Sequence, residues 1–147
     1  MIHKKYVALG SLACLTACLA VQQATAQESA APPQAAAPAS QLHYSNRWRL
    51  QVSEGADNDG VMTFRFTPKD GAPVAIAVNL KKGRGEDGCA RDIRDAFRKA
   101  LDKKAYKIEV DDGEDVLVKK HLGRAPDFSI QLVDSTVKGT RINFDRE

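Results

Sequence analysis

Cysteine is almost absent from this chain, and its placement is uneven. Cys14 and Cys18 fall within the first 26 residues, and Cys89 stands alone after them. One thiol cannot staple a chain to itself, so beyond residue 26 the fold must stand on apolar burial and not on disulfides. Histidine is as scarce: past the first residues only His43 and His121 remain, far apart and with no cysteine pair near either. That excludes a recognisable zinc spacing and offers no base beside a Ser or Cys nucleophile. No apolar run after Val21 approaches the roughly 20 residues a membrane helix needs. An excess of one charge is missing too. Lys4 and Lys5 sit in the leader described next, and subtracting them from the 22 Lys+Arg leaves 20, against 19 Asp+Glu. Nucleic-acid binding wants a clustered basic excess. Arg47 and Arg49 around Trp48 are the nearest approach to one, and they read as a half-buried strand. No nucleic-acid partner, cofactor or metal is expected.

What is present begins with an address. Lys4 and Lys5 precede an uncharged apolar run, Val7–Val21, which Gln22 and Gln23 break before Ala24-Thr25-Ala26. A charged n-region, an apolar core of about 15 residues and an A-x-A site are the order of a bacterial-type export signal, and the core is too short to span. The reading is a signal peptide over 1–26, released at Ala26. The alternative lies in Leu15-Thr16-Ala17-Cys18, which resembles a bacterial lipobox. Acylation of Cys18 would leave the protein tethered to a membrane by several acyl chains, where one chain alone binds marginally. Leu19 follows that cysteine where a small or polar residue is more usual, which favours release.

Residues 27–42 begin QESAAPPQAAAPASQ, without an aromatic or β-branched side chain. Such a stretch has nothing to bury against the entropy of ordering, and its Ala and Pro favour a semi-extended spacer. The folded region is expected over 43–147, one domain of modest size.

Alternation predicts strands in that region. Trp48, Leu50 and Val52 alternate with Arg47, Arg49 and Gln51, and Met62, Phe64 and Phe66 with Thr63, Arg65 and Thr67, up to Pro68. Val74, Ile76, Val78 and Leu80 supply a third strand, with Ala75 and Ala77 opposite, a pattern that suggests a central position. The period then changes. Cys89, Ala90, Ile93, Ala96, Phe97, Ala100 and Leu101 fall on one helical stripe between Gly83 and Lys104, with Asp87 as the expected N-cap and Arg98, Lys99, Lys103 and Lys104 at the other end. Tyr106, Ile108 and Val110, then Val116–Val118, form a hairpin around Asp111-Asp112-Gly113-Glu114, and strands at Phe128–Leu132 and Thr140–Phe144 follow. The order is βββαββββ. It predicts an α+β domain, a largely antiparallel sheet of six or seven strands against one amphipathic helix, with a β-roll plugged by the helix as the runner-up.

Three motifs invite chemistry. Gly83-Arg84-Gly85-Glu86-Asp87-Gly88 has the G-x-G-x-x-G spacing. A dinucleotide fold needs repeated strand–helix units, however, and two carboxylates stand where a pyrophosphate would sit. Asp57-Asn58-Asp59-Gly60 looks like a fragment of a calcium loop, but Phe66 occupies the position of its bidentate acid, so it reads as a turn. The acidic hairpin Asp111, Asp112, Glu114 and Asp115 reads as a solvated turn able at most to hold a cation weakly. Cys89 is expected beneath the helix as a small hydrophobe.

The expectation is an exported binding or interaction module, periplasmic or secreted, or lipid-anchored if Cys18 is acylated, without catalytic activity. Its partner would be an envelope protein or polymer. Arg49, Arg65 and Lys107, alternating with core positions, mark the expected interaction face. The competing expectation is an assembly subunit that self-associates through strand edges.

Overall fold

The computed structural model describes residues 42–147. The leader with Ala26, the acylation candidate Cys18 and the spacer as far as residue 41 lie outside the described residues. Elements follow the expected order: β1 (Arg47–Ser53), β2 (Gly60–Pro68), β3 (Val74–Leu80), α1 (Glu86–Ala100), β4 (Tyr106–Asp111), β5 (Asp115–Lys120), β6 (Phe128–Ser135) and β7 (Arg141–Arg146). No helix among the described residues is long and apolar enough to cross a membrane.

The domain is α+β, and its strands form two antiparallel sheets in place of the single sheet expected: β4-β5-β1-β7 and β3-β2-β6. Each strand has one apolar face. Seven such faces in one plane would far exceed what a 15-residue helix covers, so two sheets facing one another bury them better. Trp48, Leu50, Val52, Val116, Val118 and Ile108 come from one sheet, and Met62, Phe64, Phe66, Ile76, Val78 and Ile130 from the other. The sheets join at a corner where Ser45 and Phe128 exchange two backbone hydrogen bonds of 3.0 Å and the Trp48 indole donates to the Phe128 carbonyl at 2.8 Å. On the other side α1 packs against β3, β4, β5 and β1. It fills the side between the two sheets and buries Cys89, Ala90, Ile93 and Phe97.

Aromatic rings organise the interior. Phe66, Phe128 and Tyr106 form a triangle with centroids 4.9–5.4 Å apart, and Phe64 meets Phe97 of the helix edge-on at 5.4 Å. Fully burying one such ring stabilises the fold by about 1.5–3 kcal/mol.

Two local expectations are corrected. β3 is an edge strand, not a central one. Ala75 and Ala77 are exposed; counted as apolar in sequence, they carry too little surface to require burial. The helix begins earlier than Asp87: Gly85 is the N-cap, and no side chain caps the helix. Asp87 instead faces Arg91 one turn on, at 3.6 Å.

Candidate functional site

Strand pairing arranges the outer face of the β4-β5-β1-β7 sheet into rows. Lys107, Lys119 and Arg47 lie side by side across β4, β5 and β1; Glu109, Leu117 and Arg49 form the next row, and Asp111, Asp115 and Gln51 the third. Positive charge collects at one end and negative at the other. Like charges directly opposite are unfavourable, and carboxylates resolve the conflict. Glu109 accepts from Lys107 at 2.6 Å and from Lys119 at 2.5 Å, and these two ammonium groups hold its carboxyl down at about 2.

Arg49 is fully engaged. Its guanidinium donates to Asp115 at 2.7 Å, to Glu147 at 2.6 Å and to Asp111 at 3.4 Å. Its hydrogen bonds to Asp115 and Glu147 raise its pKa further above an already basic value. Asp115 is buried and turns Oδ2 to Arg49, while its Oδ1 is buried with no partner. Arg49 is therefore what compensates a carboxylate withdrawn from water. The acidic hairpin that was a weak cation candidate spends Asp111 and Asp115 on this arginine.

Arg65 lies elsewhere. It projects from β2 in the other sheet, level with Ala75 and Gln131, and makes no ion pair among the described residues. The outer face around it carries Thr63, Ala77 and Asn79, with Asp134 level with Thr63. Arg49, Arg65 and Lys107 thus do not share one face. Only Arg49 and Lys107 share a sheet, and both are already paired there.

A different group of side chains is gathered where α1 ends. The β4–β5 hairpin returns the chain to that point, and a cleft of about 280 Å³, open to solvent, is lined by Arg98, Lys103, Tyr106, Lys107, Ile108 and His121. Arg98 is in the last turn of α1, Lys103 in the connection to β4, Lys107 on β4 and His121 just after β5. The Arg98 Nε–H donates to the Ile108 carbonyl at 2.8 Å, which fixes the guanidinium at the rim. The His121 amide donates to the Ala105 carbonyl at 2.8 Å, closing the loop against the connection. Tyr106 forms part of the wall; it is 8% exposed, its ring packs on Phe66 and Phe128, and burial pushes its phenol pKa up. No carboxylate lines the cleft. Chemically it can hold an anion.

The sequence singled out Lys107 for a sheet face shared with Arg49 and Arg65, not for this cleft. Arg98 and Lys103 were legible only as complements to the helix dipole, and His121 only as a loop residue. Their convergence depends on the hairpin register that pairs Lys107 with Lys119 and Tyr106 with Lys120.

The remaining motifs resolve into structural parts. Gly83 turns the chain with φ of 79°. Gly88 leaves room for the Arg84 side chain, which would lie 2.8 Å from any Cβ there. Arg84 in turn grips Asp92 with two bonds of 2.8 and 2.7 Å. Asn58 ties its turn to the β6–β7 loop, accepting from the Lys138 amide at 2.6 Å, and Asp59 accepts from the Lys82 amide at 2.7 Å, the contact that most lowers its pKa. Among the described residues no group of three or more His, Cys, Asp and Glu side chains could hold a metal ion. Cys89 is fully buried in the first turns of α1, and burial pushes its thiol pKa up.

No protein-family model matches the chain, and no curated protein is detectably similar to it.

Proposed function

We propose that this chain is an exported, non-catalytic binding module of the cell envelope, carried past the inner membrane by its first 26 residues and held on the spacer that follows. Release at Ala26 gives a periplasmic or secreted protein; acylation of Cys18 gives the same domain on a membrane anchor. The observation that carries the binding reading is the cleft at the end of α1, where Arg98, Lys103 and Lys107 from three segments, with the His121 imidazole from a fourth, surround an open concavity. Its chemistry suits holding an anion. The groups that could serve as nucleophile and base are kept apart. Cys89 lies in the sealed first turns of α1 and His121 at its far end, with nine residues or about 13 Å of helix separating Cys89 from the Arg98 rim. His43 lies before β1, outside the cleft.

The test is the intact mass of the protein recovered from fractionated host cells. A chain beginning at Gln27 in the periplasmic or secreted fraction is the expected result, and a diacyl- or triacyl-cysteine start marks the anchored form. Full-length, unprocessed protein in the cytosol overturns the reading.

A further inference from the structure

We infer that the cleft at the end of α1 is a binding site for a phosphomonoester group, with Arg98, Lys103, Lys107 and His121 as its donors. The inference rests on the reading of the chain as a binding module and names its ligand chemistry.

The plain alternative is that these side chains merely complement the helix. A helix carries about half a negative charge at its carboxyl end, felt within the last turn. Arg98 and Lys99 already stand in that turn, and either one exceeds what the dipole requires. Lys103, Lys107 and His121 lie beyond the helix, yet they close around the same space. Lys103 makes no ion pair among the described residues, and the Arg98 side chain uses only Nε, leaving its two terminal nitrogens as a fork for an oxyanion. Tyr106 is buried through its ring, and its hydroxyl, which makes no hydrogen bond among the described residues, keeps contact with solvent and stands free for a ligand.

Shape selects among anions. A carboxylate offers two oxygens in one plane. The donors here come from a helix end, a connection, a strand and a loop, so they approach from different directions. A terminal phosphate presents three oxygens in three dimensions and carries about −1.5 to −2 charges near neutral pH. The volume is slightly below the roughly 300 Å³ at which drug-sized pockets begin. That suits one phosphorylated unit of sugar or glycerol size. Glu109 regulates the site, since it holds Lys107 at 2.6 Å and competes with any ligand for that ammonium.

The test uses the full chain as its host produces it, titrated with inorganic phosphate at fixed ionic strength balanced by chloride, with backbone amide NMR shifts as the readout. Saturable shifts confined to residues 98–108 and 120–122 are expected. Lys103→Glu combined with Lys107→Gln should weaken binding at least about tenfold, as loss of charged contacts does. Lys82→Glu, beyond the opposite end of α1, a helix about 22 Å long, should leave it unchanged. Glu109→Gln frees Lys107 and should tighten binding about threefold, an increase that a misfolded variant would not give. Shifts that chloride reproduces, that never saturate, or that persist in the double variant overturn the site. Glycerol 3-phosphate and neutral vesicles doped with phosphatidic acid separate a soluble ligand from a lipid headgroup. Binding of either supports the inference, and binding of neither overturns it. If the protein is processed and exported yet phosphate is ignored, this inference alone fails; if it is cytosolic and unprocessed, the envelope reading fails whatever the titration shows.

Discussion

Arg49 and Arg65 are the same residue type at the same strand phase, and their surroundings give them different roles. Arg49 donates to three carboxylates, one of which, Asp115, is withdrawn from water with an unpartnered oxygen. Arg65 stands exposed over alanine and glutamine neighbours. Replacing Arg49 by Ser leaves a buried charge uncompensated, whereas replacing Arg65 by Ser removes a solvated side chain. The urea midpoint should fall clearly for Arg49→Ser and hardly move for Arg65→Ser; equal midpoints would contradict the role given to Arg49. Glu109 supplies a pH signature. Its folded-state value of about 2 lies below the ordinary 4.5, so it stabilises the fold fully above the ordinary value. That contribution is lost as pH falls from about 4.5 through 2. Glu109→Gln should flatten this part of the acid limb in a thermal-melt series, and an unchanged limb would show that the two lysines do not hold the carboxylate. Neither contrast is legible in sequence, where every arginine that alternates with core residues looks alike.

Among the elements, α1 was the most legible, because its apolar stripe, acidic start and basic end agree. What sequence missed was its cap. Gly85 sits in extended geometry, makes no side-chain cap, and has open space where a Cβ would point. Gly85→Ser should therefore supply a hydroxyl acceptor to the first turn and restrict the unfolded chain, stabilising the domain by about 0.5 kcal/mol. A lower melting temperature would show that the open backbone is needed there. The strands were legible for a similar reason, since period-2 alternation names the inward residue directly. Their partition into two sheets was not. Alternation says which side of a strand is apolar and is silent on whether that side meets a helix or another sheet. β3 was misplaced for the same reason, since Ala75 and Ala77 satisfy an apolar pattern without needing burial.

At the scale of the molecule, one interior is shared by both sheets and the helix, so local loosening has little room to occur independently. Cys89 reports on this. Its thiol is buried and held in the protonated form by burial, so a thiol reagent should label it only when the core opens. The labelling rate in native buffer should match the global unfolding equilibrium across a urea series; rapid labelling without denaturant would mean that α1 detaches by itself. The candidate cleft belongs to this scale too. Its donors are spread over residues 98–121 and meet because a hairpin returns to a helix end. Local sequence patterns carry no information about such a meeting, which is why the cleft was not foreseen.

The clasp at the corner of the fold has a further consequence. Ser45 is bonded to Phe128 and lies 3.4 Å from the Glu147 carbonyl, and the Glu147 carboxylate is held by both Arg47 and Arg49. The strand that opens the domain and the residue after its last strand therefore leave from the same spot. A short peptide joining residues 147 and 42 would span that spot without bending either strand, and new ends could be cut at the solvent-facing Asp112–Gly113 turn. Such a rewired chain should keep its sheets, since the order in which the strands are synthesised would change while every neighbour stays where it is.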